Sequence, residues 1–482
     1  MLYGKVAYTL TAADFKNAVN EVSFQVNCRK RARAEKYFIQ TFGCQMNVHD
    51  SEVMSGLLEK IGYERASAPE EADLILLNTC CVRENAENRL YGHLGNLKPI
   101  KDQRPETIIG VCGCMAQQHE QQEQIRDKFP YIDLVFGTHN LHRLPELVQK
   151  IKETGEGRLF EVWEEGERAE DLPVRRDNPY QAWVNIIYGC NNFCTYCIVP
   201  YVRGREKSRL PEKILAEMER LAEEGVKEVT LLGQNVNSYG LDFPSTESMD
   251  FPDLLAKVNK IDGLSRIRFQ TSHPKDLSDK LIQEMAEGEK ICEHIHLPVQ
   301  AGSDKILTAM NRKYTREHYL NLIRKLRAAI PEITITTDLI VGFPGEEEAD
   351  FMDTLSLVQE VGYDGAFTFA YSPRAGTRAA SLPGQVEEEV KMERLHRLIE
   401  VTNGLAKASN LRQVGKVEKI LVEGASEKRP EIYSGRTRGN KLVLFDPSTH
   451  SRVKRAEDLI GEEISVYIEE GLTYTLKGRI VE

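Results

Sequence analysis

Apolar segments of strand type alternate with amphipathic helical segments in the first third of the chain, from Tyr37 to Phe136. Helical periodicity follows the strands, for example over Ser51–Ile61 and Asn85–Leu97. Strand–helix alternation of this kind predicts a parallel sheet with helices on its faces. The four predicted strands are Tyr37–Thr41, Leu74–Leu77, Thr107–Val111 and Ile132–Phe136.

A second alternation, of six strand–helix units, begins at Ala182. Its helices include Pro211–Glu224, Glu346–Val361 and a long segment, Asp304–Ile330, with an interruption near Lys313. Six such units predict a partial (β/α)6 barrel that is open on one side, with its active site at the carboxyl ends of the strands. The predicted strands are Trp183–Ile187, Glu228–Leu232, Arg266–Gln270, His294–Leu297, Ile333–Leu339 and Ala366–Tyr371.

The pattern changes from about Asn410, where apolar and polar residues alternate with a period of two. Segments such as Val417–Glu423, Asn440–Phe445 and Glu463–Ile468 predict a small antiparallel β-barrel. The expected fold class is therefore α/β, with a parallel N-terminal domain, a central partial barrel and a small C-terminal barrel. The predicted divisions are an N-terminal extension at 1–33, a first domain at 34–152, a linker at 153–175, a central domain at 176–408 and a final domain at 409–482.

Composition narrows the class of protein. The 482 residues are 41% hydrophobic and 28% charged, as in an ordinary soluble globular protein of several domains. We find no secretory signal pattern and no apolar run of about 20 residues, so we expect a cytoplasmic protein without a membrane segment. The net charge of −11 means that any nucleic-acid contact must come from local basic patches. Ten cysteines in such a chain favour metal or redox chemistry over disulfides.

Three cysteines follow strands of the first predicted sheet. Cys44, Cys80 and Cys114 each come directly after a strand segment. Because parallel strands all end at the same edge of a sheet, where ligands collect, these thiols should meet in space. We therefore predict a site of three thiolates there, and we expect the neighbouring Cys81 and Cys112 to point elsewhere.

A second set of three cysteines lies within eight residues, at Cys190, Cys194 and Cys197. Thiolates so closely spaced can bind one face of a metal cluster and leave one metal position open. A zinc site completed by a distant residue, or a chance grouping, are the alternatives. Zinc ribbons, however, use pairs of Cys-x2-Cys, whereas this spacing is Cys-x3-Cys-x2-Cys.

The Cys-x3-Cys-x-aromatic-Cys pattern resembles that of radical S-adenosylmethionine (SAM) enzymes, and the whole chain resembles one family among them, the methylthiotransferases. The final domain is similar to the TRAM barrel of that family. The segments that carry the resemblance are Thr41–Asn47, Asn78–Cys80, Cys112–Ala116, Cys190–Cys197, Ile198–Glu206, His296–Gln300 and Tyr371–Thr377. The family members most similar in these segments act on tRNA.

The resemblance implies two [4Fe–4S] clusters, one on each cysteine set. The cluster on Cys190, Cys194 and Cys197 would bind SAM and cleave it to a 5′-deoxyadenosyl radical. An auxiliary cluster on the other three cysteines would deliver sulfur. The implied product carries a methylthio group on carbon 2 of isopentenyladenosine at position 37 of tRNA. The implied partners are the tRNA anticodon stem-loop and a flavodoxin- or ferredoxin-type electron donor, and we expect a monomer.

Further residues are assigned roles on weaker grounds. Tyr196 would lie against the adenine of SAM, with Gln300 and Ser303 as further SAM contacts. Four basic residues follow the cysteine loop, Arg203, Arg205, Lys207 and Arg209, and one or two of them would meet the SAM carboxylate or tRNA phosphate. In the final barrel, the predicted RNA-binding residues are Arg436, Arg438 and Lys441.

Two alternative functions remain open at this point. A methylthiotransferase acting on threonylcarbamoyladenosine in tRNA, or on an aspartate of a ribosomal protein, would share the same motifs. A more distant alternative is a non-catalytic RNA-binding protein whose six cysteines hold zinc.

Overall fold

The structure is a computed structural model, and it describes residues 33–81, 84–155, 157–164, 166, 170–244, 249–449 and 455–481. Almost all of the predicted N-terminal extension, including Cys28, lies outside these residues. Among the described residues, no helix is both long and apolar enough to cross a membrane.

The first domain is a parallel six-stranded sheet with the order β2-β1-β3-β4-β5-β6. The four predicted strands are all present, and two short strands extend the sheet at its edges. One of these, β6, lies within the segment that we expected to be a linker. The strands are β1 Lys36–Thr41, β2 Glu64–Arg65, β3 Leu74–Thr79, β4 Ile108–Gly113, β5 Leu134–Phe136 and β6 Leu159–Glu161, and the helices are α1 Gln45–Lys60, α2 Glu84–Gln103, α3 His119–Lys128 and α4 Leu144–Thr154.

The central domain is a partial barrel of six parallel strands. Its two three-stranded sheets, β11-β10-β7 and β12-β13-β14, are joined by an isolated parallel bridge between Ile267 and Ile291. The strands are β7 Gln181–Asn185, β10 Glu228–Leu232, β11 Arg266–Phe269, β12 His294–His296, β13 Thr334–Val341 and β14 Gly365–Ala370, with a small antiparallel pair formed by β8 Ile187–Tyr188 and β9 Lys207–Ser208.

Helices cover the outside of this partial barrel and bury its largest apolar cluster. The helical segment expected over Asp304–Ile330 is divided into two helices, as the predicted interruption required. The helices are α5 Val199–Val202, α6 Pro211–Glu223, α7 Phe251–Val258, α8 Asp279–Glu287, α9 Asp304–Ala309, α10 Arg316–Ala329, α11 Glu348–Val361 and α12 Glu388–Leu411.

The final domain is a closed five-stranded barrel with the order β15-β16-β17-β19-β18. It is not antiparallel throughout, because β17 and β19 pair in parallel. The chain crosses from β17 to β18 before it returns as β19, and this crossover places the last strand parallel to β17. The strands are β15 Val417–Ser426, β16 Arg429–Thr437, β17 Leu442–Phe445, β18 Glu463–Gly471 and β19 Leu476–Val481.

The barrel packs against the amino-terminal ends of the central strands. Arg266, the first residue of β11, is fully buried and donates to Glu463 Oε1 at 2.6 Å and to the Arg436 carbonyl at 2.6 Å. Arg268 donates to the carbonyl oxygens of Arg438 and Thr437, both at 2.8 Å. The connection between β16 and β17 therefore covers the end of the partial barrel opposite to the carboxyl ends of its strands.

Candidate functional site

The three cysteines that follow strands of the first sheet lie together, as their positions predicted. Cys44 caps the amino terminus of α1, and Cys80 and Cys114 follow β3 and β4. A hydrogen bond from the Cys80 thiol lowers the pKa of Cys44 to about 6; burial opposes this shift, and the charge of Arg203 favours it. Gly43 has a φ of 110°, and a Cβ at this position would lie 2.2 Å from the Cys80 Cβ. The close approach of the two cysteines therefore requires glycine at position 43.

Of the two neighbouring cysteines, only Cys112 points away as expected. Its Sγ lies 3.7 Å from Met54 Sδ, in an apolar cluster on the other side of the sheet. Cys81 instead hydrogen bonds with Cys114, which lowers the pKa of Cys114 and raises that of Cys81. The alternation of side chains ends with β3 at Thr79, so it does not govern the direction of Cys81 in the loop beyond.

Asn47 connects this cysteine set to the strand ends. Its side-chain nitrogen, Nδ2, donates to the carbonyl oxygens of Phe42 and Thr79, both at 2.9 Å. Its Oδ1 accepts a hydrogen bond at 2.8 Å from Arg203, which belongs to the central domain. Arg203 also donates from Nε to Cys114 Sγ at 3.0 Å and from Nη2 to Asp50 at 2.9 Å. Arg203 thus contacts the first cysteine set, and a contact of this or the other three basic residues with SAM or phosphate stays a prediction.

The second cysteine set lies on a loop, residues 189–206, that is closed at its base by the β8–β9 pair. Within it, the Cys190 amide donates to the Gly204 carbonyl at 3.1 Å. Burial raises the pKa of Cys190 to about 11 and that of Cys197 to about 12. Thiolates at these positions are unfavourable without a nearby positive charge, and bound metal would supply it.

Arg312 contacts the second cysteine set in the same way that Arg203 contacts the first, since each is a buried arginine that donates to a cysteine sulfur. This buried guanidinium donates to Cys194 Sγ at 3.3 Å and to the Pro298 carbonyl at 2.7 Å. It lies between α9 and α10, where Asn311 and Lys313 adopt positive φ angles of 60° and 63°. We did not single out Arg312 from the sequence, although the interruption predicted near Lys313 marked its position.

Neither cysteine set is arranged to hold a single metal ion. Within the ranges that the structure describes, no group of three or more His, Cys, Asp or Glu residues is placed to hold one ion. A [4Fe–4S] cluster is a larger body, in which three thiolates can bind three different irons and leave the fourth iron open. Three thiols beside one buried guanidinium are compatible with such a cluster.

Buried polar atoms without hydrogen-bond partners follow the carboxyl ends of β10 and β11. Among the described residues they include Gln234 Oε1, both side-chain polar atoms of Asn237, Ser272 Oγ and His273 Nε2. Buried polar atoms are nearly always paired, so such a concentration favours a polar ligand. The amino, carboxylate, ribose and adenine groups of SAM fit this donor and acceptor set.

The three predicted SAM contacts lie at the same end of the partial barrel. Tyr196 packs edge-to-face against Phe343, with ring centroids 6.5 Å apart. Gln300 is buried with a φ of 74° and pairs with β13. Ser303 is buried and its hydroxyl donates to Asp350 Oδ1 at 2.7 Å. The roles of these residues in binding SAM stay predictions.

The three basic residues predicted to bind RNA have intramolecular partners. Arg438 forms an ion pair with Glu293 at 2.8 Å, and Arg436 forms one with Glu423 at 2.9 Å. The side chain of Lys441 is 9% exposed and contacts Asp364, Ser409 and Asn410. These contacts fit a role of Arg438 and Lys441 in joining the domains; a contact with RNA stays a prediction for all three.

Comparison with known protein families assigns all three domains. Residues 36–137 match the Uncharacterized protein family UPF0004, residues 184–358 the Radical SAM superfamily and residues 411–481 the TRAM domain. Among solved structures, the radical S-adenosylmethionine methyltransferase TsrM from Kitasatospora setae is similar in fold. Its TM-score is 0.54 at 15% identity, and the match covers 72% of this chain and 77% of TsrM.

Curated relatives are similar over almost the whole chain. The tRNA-2-methylthio-N(6)-dimethylallyladenosine synthase of Desulforamulus reducens is 53% identical, over 92% of this chain and 95% of its own length. The enzyme of the same name from Acetivibrio thermocellus is 51% identical, over 95% of this chain and 94% of its own length. This chain therefore belongs to the tRNA-2-methylthio-N(6)-dimethylallyladenosine synthase family of radical SAM enzymes.

Proposed function

We propose that this protein adds a methylthio group to carbon 2 of isopentenyladenosine at position 37 of tRNA. The observation that carries the proposal is the arrangement of two cysteine sets around one loop. Residues 189–206 bear Cys190, Cys194 and Cys197, and the same loop reaches Cys114 of the other set through Arg203. Family membership supports the assignment of the substrate, since the relatives are named for this nucleoside.

The six cysteines are proposed to hold two [4Fe–4S] clusters, with Cys190, Cys194 and Cys197 beside SAM and Cys44, Cys80 and Cys114 at the auxiliary position. When bound, these groups supply one-electron cleavage of SAM and a source of sulfur. The chain's own residues would position them: Arg312 donates to Cys194, Arg203 donates to Cys114, and Tyr196 is proposed to lie against the adenine of SAM. Carbon 2 of adenine bears no acidic proton that a side chain could remove, so the reaction needs a radical route.

An exposed aromatic surface beside the second cysteine set supports a single-stranded RNA substrate. Tyr201 is 56% exposed and meets Phe193 edge-to-face, with ring centroids 5.9 Å apart. The guanidinium carbon of Arg205 lies 4.3 Å from the centroid of the Phe193 ring. We call Phe193, Tyr201 and Arg205 the aromatic platform. Proteins bind unstacked loop bases on such aromatic and guanidinium planes.

Replacing Tyr201 with Ala should weaken tRNA binding, because one base would lose its stacking partner. Stacking on an aromatic side chain contributes about 1–3 kcal/mol per base, so we expect Kd to rise between about fivefold and a hundredfold. Binding is measured by filter retention of labelled tRNA at fixed salt.

Tyr201→Phe keeps the ring and should bind as the parent does. Tyr474, 74% exposed on the final barrel, is the matched control, and Tyr474→Ala should change Kd by about twofold at most. Equal effects at the two tyrosines would contradict the platform.

The reaction itself is tested by mass spectrometry of tRNA nucleosides. After anaerobic incubation with SAM, a reductant and isopentenylated tRNA, the modified adenosine should gain the mass of one methylthio group. Unmodified A37 tRNA and threonylcarbamoylated tRNA serve as parallel substrates. Product only on threonylcarbamoylated tRNA, or only on a ribosomal protein, would replace the proposed substrate by one of the alternatives. Iron and sulfide analysis of the purified protein distinguishes all of these methylthiotransferases from the zinc-holding RNA-binding protein.

The remaining partners are proposed on chemical grounds. Reductive cleavage of SAM needs a one-electron donor of low potential, which a flavodoxin- or ferredoxin-type protein provides. We expect a monomer and a cytoplasmic location, where tRNA and such donors are found together.

A further inference from the structure

One dipeptide, Arg203–Gly204, connects the two cysteine sets. The Gly204 carbonyl accepts a hydrogen bond from the amide of Cys190, and the Arg203 side chain donates to Cys114 Sγ at 3.0 Å. Gly204 has a φ of 81°, which favours glycine. The direction of the chain at this point therefore fixes both contacts at once.

The guanidinium of Arg203 donates to three different side chains. Nε reaches Cys114, while Nη2 reaches Asn47 Oδ1 at 2.8 Å and Asp50 Oδ2 at 2.9 Å. The side chain is 3% exposed, and Nη1 has no hydrogen-bond partner among the described residues. A buried guanidinium that carries a donor without a partner has capacity for one more acceptor nearby.

The positive charge of Arg203 also affects the electrostatics of the first cysteine set. Cys44, Cys114 and Asp50 place several negative charges around Arg203 when the thiols are ionised, and burial weakens the screening by water. Removing the positive charge of Arg203 would leave the cysteine set more negative. Adding a further electron at such a site would then be less favourable, so its reduction potential would fall.

We propose that Arg203 is a positioning residue: it holds the first cysteine set at a fixed place relative to the loop of residues 189–206, and its positive charge offsets the negative charge of that set. This inference rests on the proposed function, because it assumes that Cys44, Cys80 and Cys114 hold an auxiliary cluster. A lysine at this position keeps the charge but cannot span Cys114, Asn47 and Asp50. A glutamine removes the charge and retains a donor.

The first measurement is the reduction potential of the auxiliary cluster alone. It is made by EPR-monitored titration in a background with Cys190, Cys194 and Cys197 replaced by Ala. Arg203→Gln should shift the potential to a more negative value, and Arg203→Lys should leave it near that of the parent. If the background variant itself binds no iron, the two-cluster assignment fails, which is a separate failure from that of Arg203. An unchanged potential in Arg203→Gln overturns the electrostatic role.

The second measurement, in the protein with all six cysteines, is the ratio of methylthiolated tRNA to cleaved SAM. Both Arg203 variants should lower this ratio by about tenfold to a hundredfold, because a small misplacement of reacting groups is costly. The matched control is Arg104, a partly buried arginine of the first domain that pairs with Asp73 at 2.6 Å, just before the start of β3 and so at the other end of that strand from Cys80. Arg104→Gln should change neither ratio nor potential. If Arg203→Gln fails to fold, Arg203→Lys decides: a lowered ratio supports the positioning role and a parental ratio overturns it.

Discussion

Replacing Cys44, Cys80 and Cys114 together with Ala should abolish the methylthiolated product while cleavage of SAM continues. The loop of residues 189–206 belongs to another domain and keeps its own three thiols, so the variant should lose only about half of its iron. 5′-Deoxyadenosine should still form under reducing conditions, without modified tRNA. Iron analysis and nucleoside mass spectrometry on the same preparation measure both effects.

The converse variant, with Cys190, Cys194 and Cys197 replaced by Ala, should form no 5′-deoxyadenosine and retain the other half of the iron. Cys112→Ala is the matched control, because Cys112 is buried beside the same strand ends but faces Met54. It should keep full iron content and form product. A variant without Cys44, Cys80 and Cys114 that keeps its full iron and its product would refute the two-cluster assignment.

Arg268→Ala should destabilise the protein by about 3–5 kcal/mol, because it leaves the charge of buried Glu228 without its cation. The two side chains are each 5% exposed and lie 2.9 Å apart. The same guanidinium holds two carbonyl oxygens of the final barrel, so loosening of the barrel should accompany the loss. Urea unfolding followed by circular dichroism gives the stability, and limited proteolysis reports on release of the barrel.

Arg436 offers the matched control for Arg268. It forms an ion pair with Glu423 of the same barrel, and its side chain is 38% exposed. Exposed pairs contribute about 1 kcal/mol or less, so Arg436→Ala should change stability only slightly. If the two substitutions cost the same, the arginines at the start of β11 do not anchor the barrel.

The sequence predicted the long elements well because each carries enough residues to show its period. Glu228–Leu232 is a strand both in the prediction and in the structure, and the predicted interruption near Lys313 separates α9 from α10. The short strands β2 and β6 were missed, since their sequences, Glu-Arg and Leu-Phe-Glu, contain no apolar run of strand length. The parallel pairing of β17 with β19 depends on a crossover that local pattern does not encode.

At the candidate site, chain position predicted the cysteines but not their partners. Strand ends at one edge of a sheet brought Cys44 and Cys80 together, as topology requires. Arg203 and Arg312 lie 89 and 118 positions from the cysteines that they contact, so only the tertiary fold pairs them. Cys81 turned towards Cys114 because it lies beyond the end of its strand.

The burial of Arg266 has a consequence for the order in which the chain is completed on the ribosome. Its partners Arg436 and Glu463 are synthesised 170 and 197 residues later. Until they emerge, the nascent central domain carries uncovered guanidinium groups at the start of its strands, and non-local closure of this kind is slow. A chain that stops short of the barrel would keep those groups exposed to chaperones and proteases. The buried contacts of Arg266 therefore form only after most of the final domain has been synthesised.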